Sequence, residues 1–318
     1  MFEAPTLLKN PHIQTLYATL FRRDKLKNLE YEEFKLSDGD FVEIVWMNKK
    51  PKEPKKIVVL FHGLAGSINS PYIVGQMNTL QKEGYSAVLM HFRGCGTKAN
   101  LKPYAYHSGK TDDAKEFIEY LQKEYPKSDI YAIGYSIGAN MLLKLLGEWG
   151  SSSPLKKAIA ISPPLKLNIC ADTINKGFAR VYQSYLLKEL KNTLLRKYEK
   201  FNMQKILGID KTRVKRVKTI REFDNLYVAK IFGFGTANNY YKKASSCQYL
   251  KHIKTQTLII HAKDDPFMTP DVLPKSDELS SSIMLELSDN GGHIGFVTGS
   301  FIKPKYWLES RVGRFLIN

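Results

Sequence analysis

The segment "DIYAIGYSIGANMLLKLL", residues 129 to 146, constrains the fold more than any other part of the chain. Ile130 to Ile133 is short, apolar and β-prone, the pattern of a strand buried on both faces, whereas Met141, Leu142, Leu145 and Leu146 recur at helical spacing. Only GYSIG separates the two, so the chain must pass from strand to helix through a very tight turn. Gly134 and Gly138 lie two residues before and after Ser136, where a side chain would collide as strand and helix close on each other. Such a turn lifts a serine hydroxyl above a sheet edge and points the first free amides of the new helix at whatever the serine meets. In isolation the five residues also fit a glycine-rich packing turn. The strand before and the apolar helix after supply the context that a nucleophile elbow requires.

The surroundings of this turn extend the pattern. "FKLSDGDFVEIVWM" alternates around Asp38-Gly39 and reads as a β-hairpin. From Ile57 onward β-prone runs alternate with helical ones: "IVVLFHG", a helix near Ile73 to Lys82, "YSAVLMHFRG", a helix near Asp112 to Tyr125, the elbow, and "KAIAISPP". Alternation at this pace predicts an α/β fold with a mostly parallel sheet and helices on both faces. The rhythm breaks after Pro164 and resumes only at "TQTLIIHAKDD" and "SIMLELSDNGGH". Residues 1–164 and 251–318 therefore form the expected core. Residues 165–250 form a helical insertion, placed as a lid over the edge where Ser136 emerges, because loops leaving the carboxyl ends of parallel strands gather there. The 318 residues, 43% of them hydrophobic, suffice for one domain with one insertion.

A serine hydroxyl needs a base to take its proton and a third group to orient that base. His293, in the glycine-rich "DNGGHIGF" after the last predicted strand, is the candidate base. Asp265, at a strand end in "HAKDDPFMTP", is the candidate orienting acid, with Asp264 in reserve. The oxyanion formed in acyl transfer needs two preorganised N–H donors. Ile137, the residue after the serine, offers one amide, and Leu64 in "LFHGLAGS" offers the other, with His62 read as a structural strand-end histidine. His261 with Asp264 and Asp265 could form a metal site, but no second cluster has ligand spacing. "FRGCG" and "SGKTDD" imitate parts of nucleotide-binding motifs without their full glycine sets. This chemistry requires neither cofactor nor metal.

In order along the chain, "NPHIQTLYATLFRR", "LFHGLAGSINSPYI", "HFRGCG", "GYSIGANMLLKLLGEWG", "AKDDPFM" and "GGHIGF" resemble the YheT-like branch of the α/β-hydrolase fold over nearly the whole length. The resemblance implies a serine esterase or lipase with Ser136 as nucleophile, Asp265 as acid and His293 as base. Some relatives take acylglycerols or phospholipids. The expected function is hydrolysis of carboxylic esters of small or acyl-lipid substrates through an acyl-enzyme. The alternative is a catalytically silent protein that binds a lipidic or anionic ligand on the same fold.

The net charge of +17 favours anionic partners. Residues 180 to 221 carry thirteen Lys or Arg against three Asp or Glu, so +10 of that charge lies in the insertion. There Leu186, Leu187, Leu190, Leu194 and Leu195 recur near helical spacing. Basic residues such as Lys188, Lys191, Arg196 and Lys197 are expected on the outward face, where they could contact an anionic membrane surface. No nucleic-acid module is present, so nucleic acid is not an expected partner. Three cysteines without CxxC spacing, and an N-terminal stretch with neither a basic nor an unbroken apolar region, lead to a cytoplasmic expectation.

Overall fold

The computed structural model describes residues 2–317. Eight strands form one sheet in the order β1-β2-β4-β3-β5-β6-β7-β8. The hairpin around Gly39, whose φ is +80°, joins β1 (Leu29–Lys35) to β2 (Phe41–Met47), and β2 pairs antiparallel with β4 (Ser86–Met90). Every other pairing within this sheet is parallel and involves β3 (Lys56–Phe61), β5 (Asp129–Tyr135), β6 (Lys157–Ile161), β7 (Gln256–Ala262) and β8 (Ile283–Ser288).

The segment before β1, left unassigned by sequence pattern, contains α1 (Pro11–Phe21). Its start signal is legible in retrospect. Asn10 caps the helix by accepting from the amides of His12 (2.9 Å) and Ile13 (3.2 Å), and Pro11 occupies the first turn, where its missing N–H leaves no bond unmade.

Two apolar layers sandwich the sheet, because successive strand residues point to opposite faces. Val58 and Leu60 pack with Ile73 and Met77 of α2 (Pro71–Lys82) and with Leu308 and Val312 of the C-terminal helix Trp307–Ile317. Ile57 and Val59 pack with Phe117 of α3 (Asp112–Glu124) and with Met141 and Leu145 of α4 (Ile137–Trp149). All five residues of β6 are buried, as its continuous apolar run requires.

Between β6 and β7 the described residues contain helices and turns but no strand. The segment includes α5 (Leu167–Thr173) and α6 (Ala179–Lys200), followed by shorter turns down to Ala244. Its two ends meet: Cys247 N donates to Leu165 O (3.1 Å) and Leu167 N to Ser245 Oγ (3.0 Å). The segment has its own apolar centre, including Leu187, Leu194, Val214, Phe223 and Tyr241. Asn140 of α4 ties it down, donating to Ser108 O and Ala244 O and accepting from Ser246 N, all at 2.7 to 2.9 Å.

The basic face expected on α6 needs one correction. Lys188 and Arg196 are exposed, but Lys197 is only 4% exposed. Its Nζ donates to Lys102 O (2.7 Å), Asn100 O (3.3 Å) and Asn100 Oδ1, and burial lowers its ammonium to about 8. It lies three positions after buried Leu194, which puts both on the inward stripe of the helix. Lys191 is engaged too, donating to Lys215 O and Val217 O. No helix among the described residues is long and apolar enough to cross a membrane.

Candidate active site

Ser136 follows β5 directly with φ +52° and ψ −120°, a conformation a non-glycine residue holds only when its surroundings enforce it. The neighbouring glycines show why. A Cβ on Gly134 would lie 2.5 Å from Gly138 O, and one on Gly138 would lie 2.6 Å from the carbonyl oxygens of both Phe61 and His62. Strand, turn and helix close only without those side chains. The Ser136 amide donates to Ile161 O on β6 (2.9 Å), which fixes the turn to the sheet edge.

His293 Nε2 lies 3.0 Å from Ser136 Oγ, and His293 Nδ1 lies 2.7 Å from Asp265 Oδ2. All three side chains are buried. Asp265 is fixed in turn, its Oδ1 accepting from Phe267 N (2.9 Å), and the Phe267 ring stacks on the imidazole at 4.1 Å and 10°. Asp264 faces elsewhere and accepts from Gly292 N (2.9 Å) and Asn290 Nδ2 (3.3 Å). It holds the histidine loop, not the imidazole, and burial raises its carboxyl above the usual range.

Sequence reasoning missed the role of α1 in this loop. Thr15 Oγ1 accepts from His293 N (2.9 Å), and Gln14 exchanges hydrogen bonds with both Val297 N (2.7 Å) and Val297 O (2.9 Å). The fit is close: a Cβ on Gly292 would lie 2.6 Å from Pro11 O, and one on Gly295 2.4 Å from Gln14 O. Farther out, His12 Nδ1 pairs with Tyr182 OH (3.0 Å), and the Tyr182 ring packs on Phe267. The motif "NPHIQT" carried the only sequence signal, and it named no function.

Around the Leu64 turn the amides are allotted individually. Gly63 N donates to Tyr72 OH (2.9 Å) and Ala65 N to Tyr106 OH (3.1 Å), which leaves Leu64 N without a partner among the described residues. Ile137 N heads α4, where a first-turn amide has no carbonyl to bond within its own helix. Leu64, Ser136 and Ile137 all line one cavity, whose other walls are mainly apolar: Leu167, Ala171, Ile174, Leu186 and Met268 among them. Four of these five belong to the segment between β6 and β7.

His62 and His261 take no part in this cavity. His62 Nε2 accepts from Phe92 N (3.1 Å), so Nδ1 carries the proton and donates to Gly63 O (2.7 Å); burial pushes the ring down to about 3. His261 is buried between Ala262 O and Met268 Sδ. Among the described residues no three His, Cys, Asp or Glu side chains gather as a metal cluster.

A family profile described as alpha/beta hydrolase fold matches residues 56–300. YheT of Escherichia coli (strain K12), assigned by name as an esterase, is 42% identical over 96% of this chain and 90% of its own length. The chain belongs to the α/β-hydrolase fold family, in its YheT-like branch. The monoacylglycerol lipase of Saccharomyces cerevisiae is 30% identical over 82% of the chain and 57% of its own length. Phospholipase ABHD3 of Bos taurus is 26% identical over 95% of the chain and 75% of its own length. The solved structure of the Pyrococcus furiosus esterase Pf2001 superimposes with a TM-score of 0.59 at 18% identity, covering 99% of this chain and 96% of that one, a likeness of fold.

Proposed function

We propose that this protein is a serine hydrolase of carboxylic esters that works through an acyl-enzyme. The observation that carries the reading is the chain of contacts Ser136 Oγ, His293 Nε2, His293 Nδ1 and Asp265 Oδ2, at 3.0 and 2.7 Å, opening into an apolar cavity. His293 Nε2 takes the hydroxyl proton as Ser136 Oγ bonds to the ester carbonyl carbon. The oxyanion meets the amides of Leu64 and Ile137 at the positive end of α4. Its collapse breaks the bond to the alcohol, which leaves with the proton from His293. Water, deprotonated by the same nitrogen, then cleaves the acyl–Oγ bond and restores the serine hydroxyl. Asp265 holds the imidazole tautomer throughout.

In this reading residues 165–250 are a lid on a core of residues 1–164 and 251–318, and its apolar residues receive the acyl group. The names of the relatives support ester and acyl-lipid substrates. Three unpaired thiols, Cys95, Cys170 and Cys247, suit a cytoplasmic setting. A fluorophosphonate probe tests the nucleophile. Wild-type protein is expected to gain one covalent adduct, on the peptide containing Ser136. Absence of an adduct, or an adduct that persists in Ser136→Ala, contradicts the assignment.

A further inference from the structure

The cavity at Ser136 adjoins a second one. The first is walled mainly by aliphatic side chains; the second is also mostly apolar but adds Tyr106, His107, Glu189, Thr193, Tyr227 and Tyr240 to its wall. Leu64, Ser108, Ile220 and Asp224 border both. An ester whose carbonyl carbon meets Ser136 Oγ and whose oxygen meets the Leu64 amide must send its acyl and alcohol parts in different directions. The aliphatic cavity suits the acyl chain, and the cavity whose wall adds tyrosine, threonine and carboxyl side chains suits the alcohol.

Asp224 stands at the junction, 8% exposed, at the start of a π-helical turn, Asp224–Val228, a local widening often found at functional sites. Its Oδ2 accepts from Tyr241 OH (2.7 Å), while Oδ1 has no partner among the described residues. The nearby Arg221 is committed elsewhere, to Asp172 Oδ1 (2.8 Å), Asn238 Oδ1 (2.6 Å) and Asn168 O (3.2 Å). A carboxyl oxygen without a protein partner, on a side chain that borders both cavities, is placed to accept a donor that a ligand brings in.

We propose that Asp224 Oδ1 accepts a hydrogen bond from a free hydroxyl on the alcohol part of the substrate, and so selects esters of hydroxylated alcohols. The proposal rests on the serine-hydrolase reading above. A neutral hydroxyl fits better than a cationic headgroup, because the lid around the site carries excess positive charge and Arg221 already stands near the carboxylate.

The test compares glycerol monobutyrate with propyl butyrate, which share acyl group and carbon count and differ in two hydroxyls. At pH 8.5, where Asp224 is ionised, wild-type protein is expected to favour the glycerol ester in kcat/KM by about tenfold or more, the range for a hydrogen bond to a charged group. In Asp224→Leu and Asp224→Ala the ratio is expected to fall close to one. Either variant suffices if circular dichroism shows it folded, and both remove a buried carboxyl whose burial disfavours folding. A wild-type ratio near one, or a folded variant that keeps the wild-type ratio, overturns the proposal. No turnover of either ester by wild-type protein overturns the hydrolase reading itself, and this inference with it.

Discussion

At the residue scale, the elbow and its partners follow from where β-strands end. Ser136, Asp265 and His293 each leave the carboxyl end of a parallel strand or the loop just beyond it, so the sheet gathers them although 157 positions separate serine from histidine. That gathering was legible in the sequence because Gly134 and Gly138 mark the turn and the strands around it are strongly apolar. Strand-end position could not separate Asp264 from Asp265, since adjacent residues point opposite ways and only packing shows which one faces the imidazole. The separation is testable. Asp265→Asn is expected to lower kcat by about 10⁴-fold, the scale for a triad acid whose loss leaves the wrong imidazole tautomer. Asp264→Asn, which keeps an acceptor for Gly292 N, should cost no more than about tenfold. Steady-state hydrolysis by the two variants decides it, and the reverse ranking would move the acid to Asp264.

At the scale of elements, the strands and major core helices were readable because each has a clear period. Helix α1 was not, because its importance lies in contact with a loop almost three hundred residues away. A cap at Asn10 announces a helix, yet nothing local says that Thr15 will meet the His293 amide. Replacing Thr15 by Val keeps the shape and leaves that N–H without a partner, a loss of about 1–3 kcal/mol. The expected result is a lower Tm and a fall in kcat with KM little changed, since the residue positions the His293 loop and lines no part of the cavity. Thr15→Ser should restore both. A Thr15→Val enzyme with wild-type kcat and Tm would remove α1 from the account. Within α6, leucine spacing announced the inward stripe, but Lys197 on the same stripe was misplaced because charge usually means solvent; three backbone and side-chain oxygens of the 100–102 loop receive it instead.

For the whole molecule, the break in strand–helix rhythm after Pro164 marked the strand-free segment between β6 and β7, though not how it is built. Its short helices, π-turn and buried Asp224 follow from packing between distant residues, which no local period reports. Asp224 also makes the stability of the fold depend on pH. Burial raises its carboxyl to about 7, with the Tyr241 hydrogen bond and the Arg221 charge opposing, while Tyr240 lies close by. The folded state therefore holds this proton more tightly than the unfolded chain does. The stabilising contribution is complete below the ordinary carboxyl range and is lost as pH rises to about 7. Above that, ionising the group in the folded protein costs on the order of 4 kcal/mol. Asparagine imitates the neutral acid, so the Tm advantage of Asp224→Asn over wild type should grow between pH 4 and pH 8 in thermal melts. A pH-independent difference would contradict the assignment.

In the proposed reaction Ser136 is made nucleophilic by its setting, and turnover measures that setting most directly. Purified wild-type protein should hydrolyse p-nitrophenyl esters drawn from a C2 to C16 series, and a folded Ser136→Ala variant should lose several orders of magnitude in kcat, because the members of a triad act as a unit. Ester hydrolysis by Ser136→Ala within tenfold of the wild-type rate would contradict the account.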